Sequence, residues 1–276
     1  MSKFFTIEIS DPTYEHDKLR WITVKSKALK KRADVSIFVP AGIIKGIVIL
    51  LHGVYGSHWA WSLKGGVHKT TQQLINEGKI EPMLLIMPSD GLFGDGSAYL
   101  PHHTENYEDW IVSDLRNLIY EIQPDLNPDL PLFITGLSMG GYGAMRLGAK
   151  YPQVFKTFSG LSSITEFGQL KQFLENEDDA LLKANVLAEE STLQWMLANK
   201  SLLPLFRFDC GKEDILIEAN RQLHEELQAN DIPHIYEEYE GAHDWPYWQA
   251  HIVDTLLFFN EYLVNKRLSD WILNLH

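Results

Sequence analysis

The stretch Gly136-Leu137-Ser138-Met139-Gly140 sets a hydroxyl between two glycines. Alone the pattern says little, because it arises by chance in about one chain in ten of this size. Its surroundings give it meaning. It follows the apolar run Leu132-Phe133-Ile134-Thr135 and precedes Gly141 to Leu147, a helix candidate that opens on small residues. The serine is therefore expected at a tight turn from strand to helix. Side chains in place of the flanking glycines would collide with the adjoining strand or helix, and the strain exposes the hydroxyl. The amino end of the helix directs N–H groups to the same point, which favours developing negative charge. A serine so placed can attack a carbonyl.

At neutral pH the attack needs an imidazole to take the hydroxyl proton and a carboxylate to orient and charge-balance the imidazole. After a strand–turn–helix serine these follow in the order acid, then histidine. Of eleven histidines only His224, His234, His243, His251 and His276 follow Ser138. His243 lies in the loop Glu240-Gly241-Ala242-His243-Asp244-Trp245, directly after the last strand-like run. The other four fall in helical stretches, at a strand start or at the terminus, and read as surface or packing residues. The acid belongs in the loop after the preceding run, where Gly211-Lys212-Glu213-Asp214 stands. Asp214 is the first choice. Glu213 is the alternative, because sequence does not say which of two neighbouring carboxylates faces inward, and Asp209 within the run reads as a buried structural acid.

A tetrahedral intermediate also needs N–H donors aimed at its oxyanion. The amide of Met139 is one. Leu50-Leu51-His52-Gly53-Val54-Tyr55-Gly56 fits the loop that supplies the second, with the Val54 amide as donor and His52 as an architectural residue.

These groups must be held by a sheet. Residues 4 to 40 carry three β-like stretches, Phe4 to Ile9, Trp21 to Val24 and Val35 to Val39, with an antiparallel look. From Gly46 on, apolar runs alternate with helix-length segments, as in βαβ units: Ile47 to Leu51, Met83 to Met87, Leu132 to Thr135, Thr157 to Leu161, Leu205 to Cys210 and His234 to Tyr239. The first three are continuously apolar, as strands buried on both faces are. The last three are more polar. The sum is an α/β fold: a mostly parallel central sheet flanked by helices, with antiparallel strands at its N-terminal edge. No repeat or low-complexity linker divides residues 1–276, so one domain is expected, with a helical cap inserted at about 166–201.

Composition narrows the partners. A formal net charge of −13 disfavours nucleic acid and anionic lipid surfaces, and 45% hydrophobic content is enough for a sizeable core. The lone cysteine, Cys210, cannot form an intramolecular disulfide and reads as packing. No apolar run reaches the length of a bilayer span, and the amino terminus lacks the pattern of a secretory leader, so a cytoplasmic location is expected. Homo-oligomers are compatible with all of this. His102-His103 and Asp95 lack the spacing of a zinc site; no metal and no cofactor is implied.

Together these segments resemble the esterase D-like family of α/β-hydrolases, which includes tributyrin esterases, S-formylglutathione hydrolases, feruloyl and acetyl-xylan esterases, and mycolyltransferases. The likeness runs through Ser26 to Pro40, Leu51-His52-Gly53, Met87-Pro88-Ser89-Asp90-Gly91, Asn106-Tyr107-Glu108-Asp109-Trp110, Gly136 to Gly143, Cys210 to Asp214 and His243-Asp244-Trp245-Pro246-Tyr247-Trp248. It implies a triad of Ser138, Asp214 and His243 and an acyl-enzyme intermediate. The loop Gly53-Val54-Tyr55-Gly56 lacks the features of the glutathione-adduct enzymes, which points to short-chain acyl or carbohydrate esters as small-molecule substrates. Tyr55, Trp59, Trp61 and Trp245 are the candidates to line the pocket, although aromatic residues are equally good core material. An acyltransferase using the same intermediate and a non-catalytic binding protein on this fold are the alternatives.

Overall fold

The run from Ile47 forms β4 (Gly46–Leu51), which is buried at every position, as are β5 (Met83–Pro88) and β6 (Leu132–Leu137). Strands without a polar face need cover on both sides, and the alternating side chains of β4 show where it comes from. Ile47, Ile49 and Leu51 enter one apolar cluster with residues of α3 (Leu115–Ile122) and α4 (Met139–Lys150). Val48 and Leu50 enter a second with residues of α1 (Val67–Asn76) and the C-terminal helix. The structure, a computed structural model, describes residues 4–174 and 191–273, the side chains of the last helix only as far as Asn265.

The strands lie in the order β1-β2-β3-β5-β4-β6-β7-β8-β9. β1 (Phe4–Ile9), β2 (Leu19–Ser26) and β3 (Arg32–Phe38) are the antiparallel edge, and β3 also meets β5 antiparallel. All later neighbours pair parallel, through β7 (Phe155–Leu161), β8 (Arg207–Gly211) and β9 (Ile235–Tyr239). The register pairs Leu51 with Gly136, Leu137 with Leu161, and Gly211 with Tyr239. The carboxyl ends of β4, β6, β8 and β9 thus open on one edge, where ligands of open parallel sheets bind.

β8 departs from its polar sequence. All five of its residues are buried, because the charges compensate one another: Arg207 Nη1 lies 3.0 Å from Asp209 Oδ2, and Arg207 Nη2 lies 2.7 Å from Glu237 Oε2. Burial pushes the Asp209 carboxyl up to about 6, against the pull of Arg207 and the Tyr247 hydroxyl.

Between β5 and β6 a single turn, α2 (Tyr107–Asp109), runs through a π-helical turn at Trp110–Asp114 into α3. Among the described residues the remaining α-helices are α5 (Thr192–Ala198), α6 (Ile217–Ala229) and α7 (Trp245–Leu273). The cap expected at 166–201 shows a 3₁₀ turn at Phe167–Phe173 and α5 within its bounds, and its residues 175–190 lie outside the described residues. No described helix is long and apolar enough to cross a membrane.

Candidate active site

Ser138 stands between β6 and α4 with φ 55° and ψ −119°. Positive φ costs a non-glycine residue about 1 kcal/mol or more, and the surroundings hold it there. The Ser138 N–H donates to the Leu161 carbonyl at 3.0 Å, while the Ser138 carbonyl accepts from the N–H of Tyr142 at 3.0 Å and of Ile164 at 3.3 Å. The flanking glycines are needed for close approach. A Cβ on Gly136 would fall on the Gly140 carbonyl, and one on Gly140 would fall on the carbonyl of Leu51. Backbone therefore packs on backbone where β4, β6 and α4 meet.

The other two side chains come from the ends of β8 and β9, whose loops also touch through backbone. The Glu213 N–H donates to the Gly241 carbonyl at 3.0 Å, and a Cβ on Gly211 would strike that same carbonyl. Gly241 itself has φ 131°, a conformation that favours glycine. Two residues on, His243 Nε2 lies 2.9 Å from Ser138 Oγ, and His243 Nδ1 lies 2.9 and 3.0 Å from Asp214 Oδ2 and Oδ1. Asp214 is buried, and its Oδ1 also accepts the Leu216 N–H at 2.8 Å. The two other carboxylates weighed from sequence are engaged elsewhere. Glu213 turns outward and accepts the Gly241 N–H at 2.6 Å, and Asp209 accepts the Tyr247 hydroxyl at 2.8 Å beside Arg207.

The His52 loop sits against the serine: a Cβ on Gly53 would lie 3.3 Å from Ser138 Cβ. His52 Nε2 accepts the Asp90 N–H at 3.0 Å, which leaves the ring proton on Nδ1 to donate to the Gly53 carbonyl at 2.7 Å. Carbonyl and N–H of a trans peptide point in opposite directions, so this bond also fixes the direction of the Val54 N–H. Among the described residues neither the Val54 nor the Met139 amide donates to a protein acceptor. The loop is braced from behind. Tyr99 Oη donates to the His52 carbonyl at 2.8 Å, Arg146 Nη2 donates to the Tyr99 carbonyl at 3.0 Å, and Arg146 pairs with Glu108 at 2.6 Å. The Glu108 and Arg146 pair was not singled out in the sequence; an arginine on a small-residue helix and an acid in the Asn106 to Trp110 segment were its signals.

The aromatic candidates divide. Tyr55 and Trp59 are open, at 59% and 42% exposed. Trp61, expected to line the pocket, is 1% exposed and donates its indole N–H to the Leu51 carbonyl at 2.9 Å. It is core packing at the end of β4. Trp245 is wedged edge-on between Trp61 and Trp248, at 5.8 and 5.4 Å. The expected aromatics omit Phe173, whose ring stacks on His243 at 5.1 Å between centroids and 28° between planes. An aromatic residue in a helical segment carries no sign of this in the sequence. His102 is a buried packing residue, its Nε2 at 3.1 Å from the Ser97 carbonyl and its ring against Phe93 and Tyr107.

A doubly covered parallel sheet with serine, imidazole and carboxylate linked at its carboxyl edge is the architecture of a serine hydrolase on the α/β-hydrolase fold. Residues 26–259 match the family model described as "Putative esterase", and the chain belongs to that family. It is similar to an acetyl esterase of Caldicellulosiruptor saccharolyticus, 28% identical over 74% of this chain and 79% of that one. Among solved structures it resembles FphF, a fluorophosphonate-binding serine hydrolase of Staphylococcus aureus, with TM-score 0.74 and 22% identity over 87% of this chain and 97% of that one. The S-formylglutathione hydrolase FrmB of Staphylococcus aureus superposes with TM-score 0.73 and 20% identity, over 92% of this chain and 98% of that one. The chain is a serine esterase acting on carboxylic esters.

Proposed function

We propose that ester hydrolysis runs through an acyl-enzyme on Ser138. His243 Nε2 takes the proton as Oγ attacks the ester carbonyl, and Asp214 holds the imidazole with its proton on Nδ1 and balances the imidazolium that forms. The amides of Val54 and Met139 receive the oxyanion, a service worth roughly 3 kcal/mol of barrier per donor. His243 returns the proton to the leaving alkoxide, and water then repeats the sequence to release the acid. The observation that carries the reading is the unbroken hydrogen-bond chain from Ser138 Oγ through both nitrogens of His243 to a buried carboxylate.

The substrates we assign are esters of short acyl groups, carbohydrate esters among them. The acetyl esterase relative supports the short acyl group, and the open rings of Tyr55 and Trp59 beside the His52 loop suit a sugar. The cytoplasm is the compartment assigned. Pre-steady-state hydrolysis of 4-nitrophenyl acetate tests the mechanism: a stoichiometric burst is expected from the native chain and none from Ser138→Ala. Equal slow turnover by both proteins would refute it.

A further inference from the structure

The ring of Phe173 lies against the imidazole that must protonate the departing alcohol. A leaving oxygen takes its proton from His243 Nε2 and so must come within about 3 Å of that nitrogen, near the plane of the imidazole. Phe173 covers one face of that imidazole, nearly parallel to it at 5.1 Å. The Phe173 carbonyl accepts a hydrogen bond of 2.5 Å from Tyr55 Oη, and Tyr55 follows Val54 in the loop that sits against Ser138. The tie joins Phe173 to the loop that sits against Ser138. Tyr55 is itself fixed, with φ 58° and its N–H donating to the Asp95 carbonyl at 2.9 Å. Trp248, a buried residue, is set edge-on to His243 at 5.1 Å.

We infer that Phe173 is a specificity-determining residue for the alcohol half of the ester, held in place by Tyr55, and that it selects alcohols that carry a ring. A flat aromatic surface beside the leaving oxygen offers a ring-bearing alcohol a face to stack on and offers a small acyclic alcohol almost nothing. Sugar and aryl esters share this chemistry. The acyl group, bonded to Ser138 and pointing away from Nε2 while the alcohol departs, does not depend on the stack. The inference rests on the Ser138–His243 mechanism proposed above.

The test uses esters with one acyl group and three alcohols: mono-acetylated methyl xylopyranoside, phenyl acetate and ethyl acetate. For each, kcat/KM of Phe173→Ala is divided by that of the native chain, which cancels the intrinsic reactivity of the ester. A loss of about 5- to 10-fold is expected for the ring-bearing alcohols and less than about 2-fold for ethyl acetate. Loss on the xyloside alone identifies the sugar, and loss on phenyl acetate alone the aryl group, as the natural ring. Ethyl acetate against ethyl butyrate should give the same ratio in both proteins. Tyr55→Phe deletes one exposed hydroxyl and leaves the ring at 173, so it serves where Phe173→Ala does not fold. It should show the same selectivity loss, smaller and non-additive with Phe173→Ala. Equal losses on all three acetates, or a change that follows acyl length, would overturn the inference. A native chain that shows the Ser138-dependent burst without this selectivity would refute the role of Phe173 and leave the mechanism standing.

Discussion

Replacing Asp214 by Asn and, separately, Glu213 by Gln sets two adjacent carboxylates against each other, one touching His243 and the other one residue away from doing so. Asn removes a charge that balances the imidazolium formed when Ser138 attacks. For unit charges about 4 Å apart in an effective dielectric of about 20 the attraction is about 4 kcal/mol, close to a thousandfold in rate. A second loss follows from Leu216. Its N–H donates to Asp214 Oδ1 at 2.8 Å, so the Asn carbonyl is drawn to that position and its NH2 group falls where Oδ2 stands, 2.9 Å from His243 Nδ1. Nδ1 then faces a donor at 2.9 Å as well as an acceptor at 3.0 Å, so the tautomer with its proton on Nε2 gains population, and an Nε2–H cannot accept the serine proton. The expected fall in kcat for Asp214→Asn is therefore about 10³- to 10⁴-fold. Glu213 faces solvent and contributes one hydrogen bond to the Gly241 N–H. Gln keeps an oxygen that can accept this N–H, so the change costs at most about 1 kcal/mol and less than about fivefold in kcat. Steady-state kinetics on 4-nitrophenyl acetate at pH 8, with a thermal melt of each variant to verify folding, measures both. The reasoning fails if Asp214→Asn keeps a tenth of native kcat, or if Glu213→Gln falls as far as Asp214→Asn.

Two further predictions concern what holds the site. Burial opposes ionisation of Glu108, yet Arg146 with Tyr151 and Lys150 holds its carboxyl below the usual range; Glu108→Gln strands a buried arginine and should cost about 3 kcal/mol in a urea melt at neutral pH. A carboxyl held low when folded gives stability that is present above the usual carboxylate range and lost as pH falls through the folded value, so the variant's acid limb should be shallower; parallel limbs would refute this. Gly140→Ala pushes a methyl onto the Leu51 carbonyl, should cost at least about 3 kcal/mol in a thermal or urea melt, and should move the His52 loop enough to remove esterase activity from whatever folds; a stable, active variant would contradict the backbone packing described.

The parts of the fold set by patterns along the chain were legible. β4, β5 and β6 appear as unbroken apolar runs because both of their faces are covered, and the order of serine, acid and histidine follows from the order of the strands that carry them. What stayed open depends on directions that sequence does not carry. Glu213 and Asp214 differ by one position, and the turn that closes from the Asp214 N–H to the Gly211 carbonyl at 3.0 Å helps send them to opposite sides of the loop. β8 reads as half-polar because its arginine and aspartate neutralise each other within the fold, a cancellation visible only in three dimensions. Trp61 and Phe173 show the same limit for aromatics. One indole sits near the serine in sequence order yet serves the core, while a phenyl ring in a helical segment reaches the imidazole.

The small bond between His52 and the Gly53 carbonyl has a consequence for energy flow during catalysis. Water around a free ester must turn its dipoles to meet a newborn negative oxygen, and that rotation is part of the uncatalysed barrier. Here a ring locked at both nitrogens, by Asp90 on one side and Gly53 on the other, holds one peptide unit in a fixed attitude beside Ser138. On the proposed mechanism that peptide's dipole already points at the charge before any ester arrives. The work of alignment is done once, when the chain folds, and none of it is repeated at each turnover.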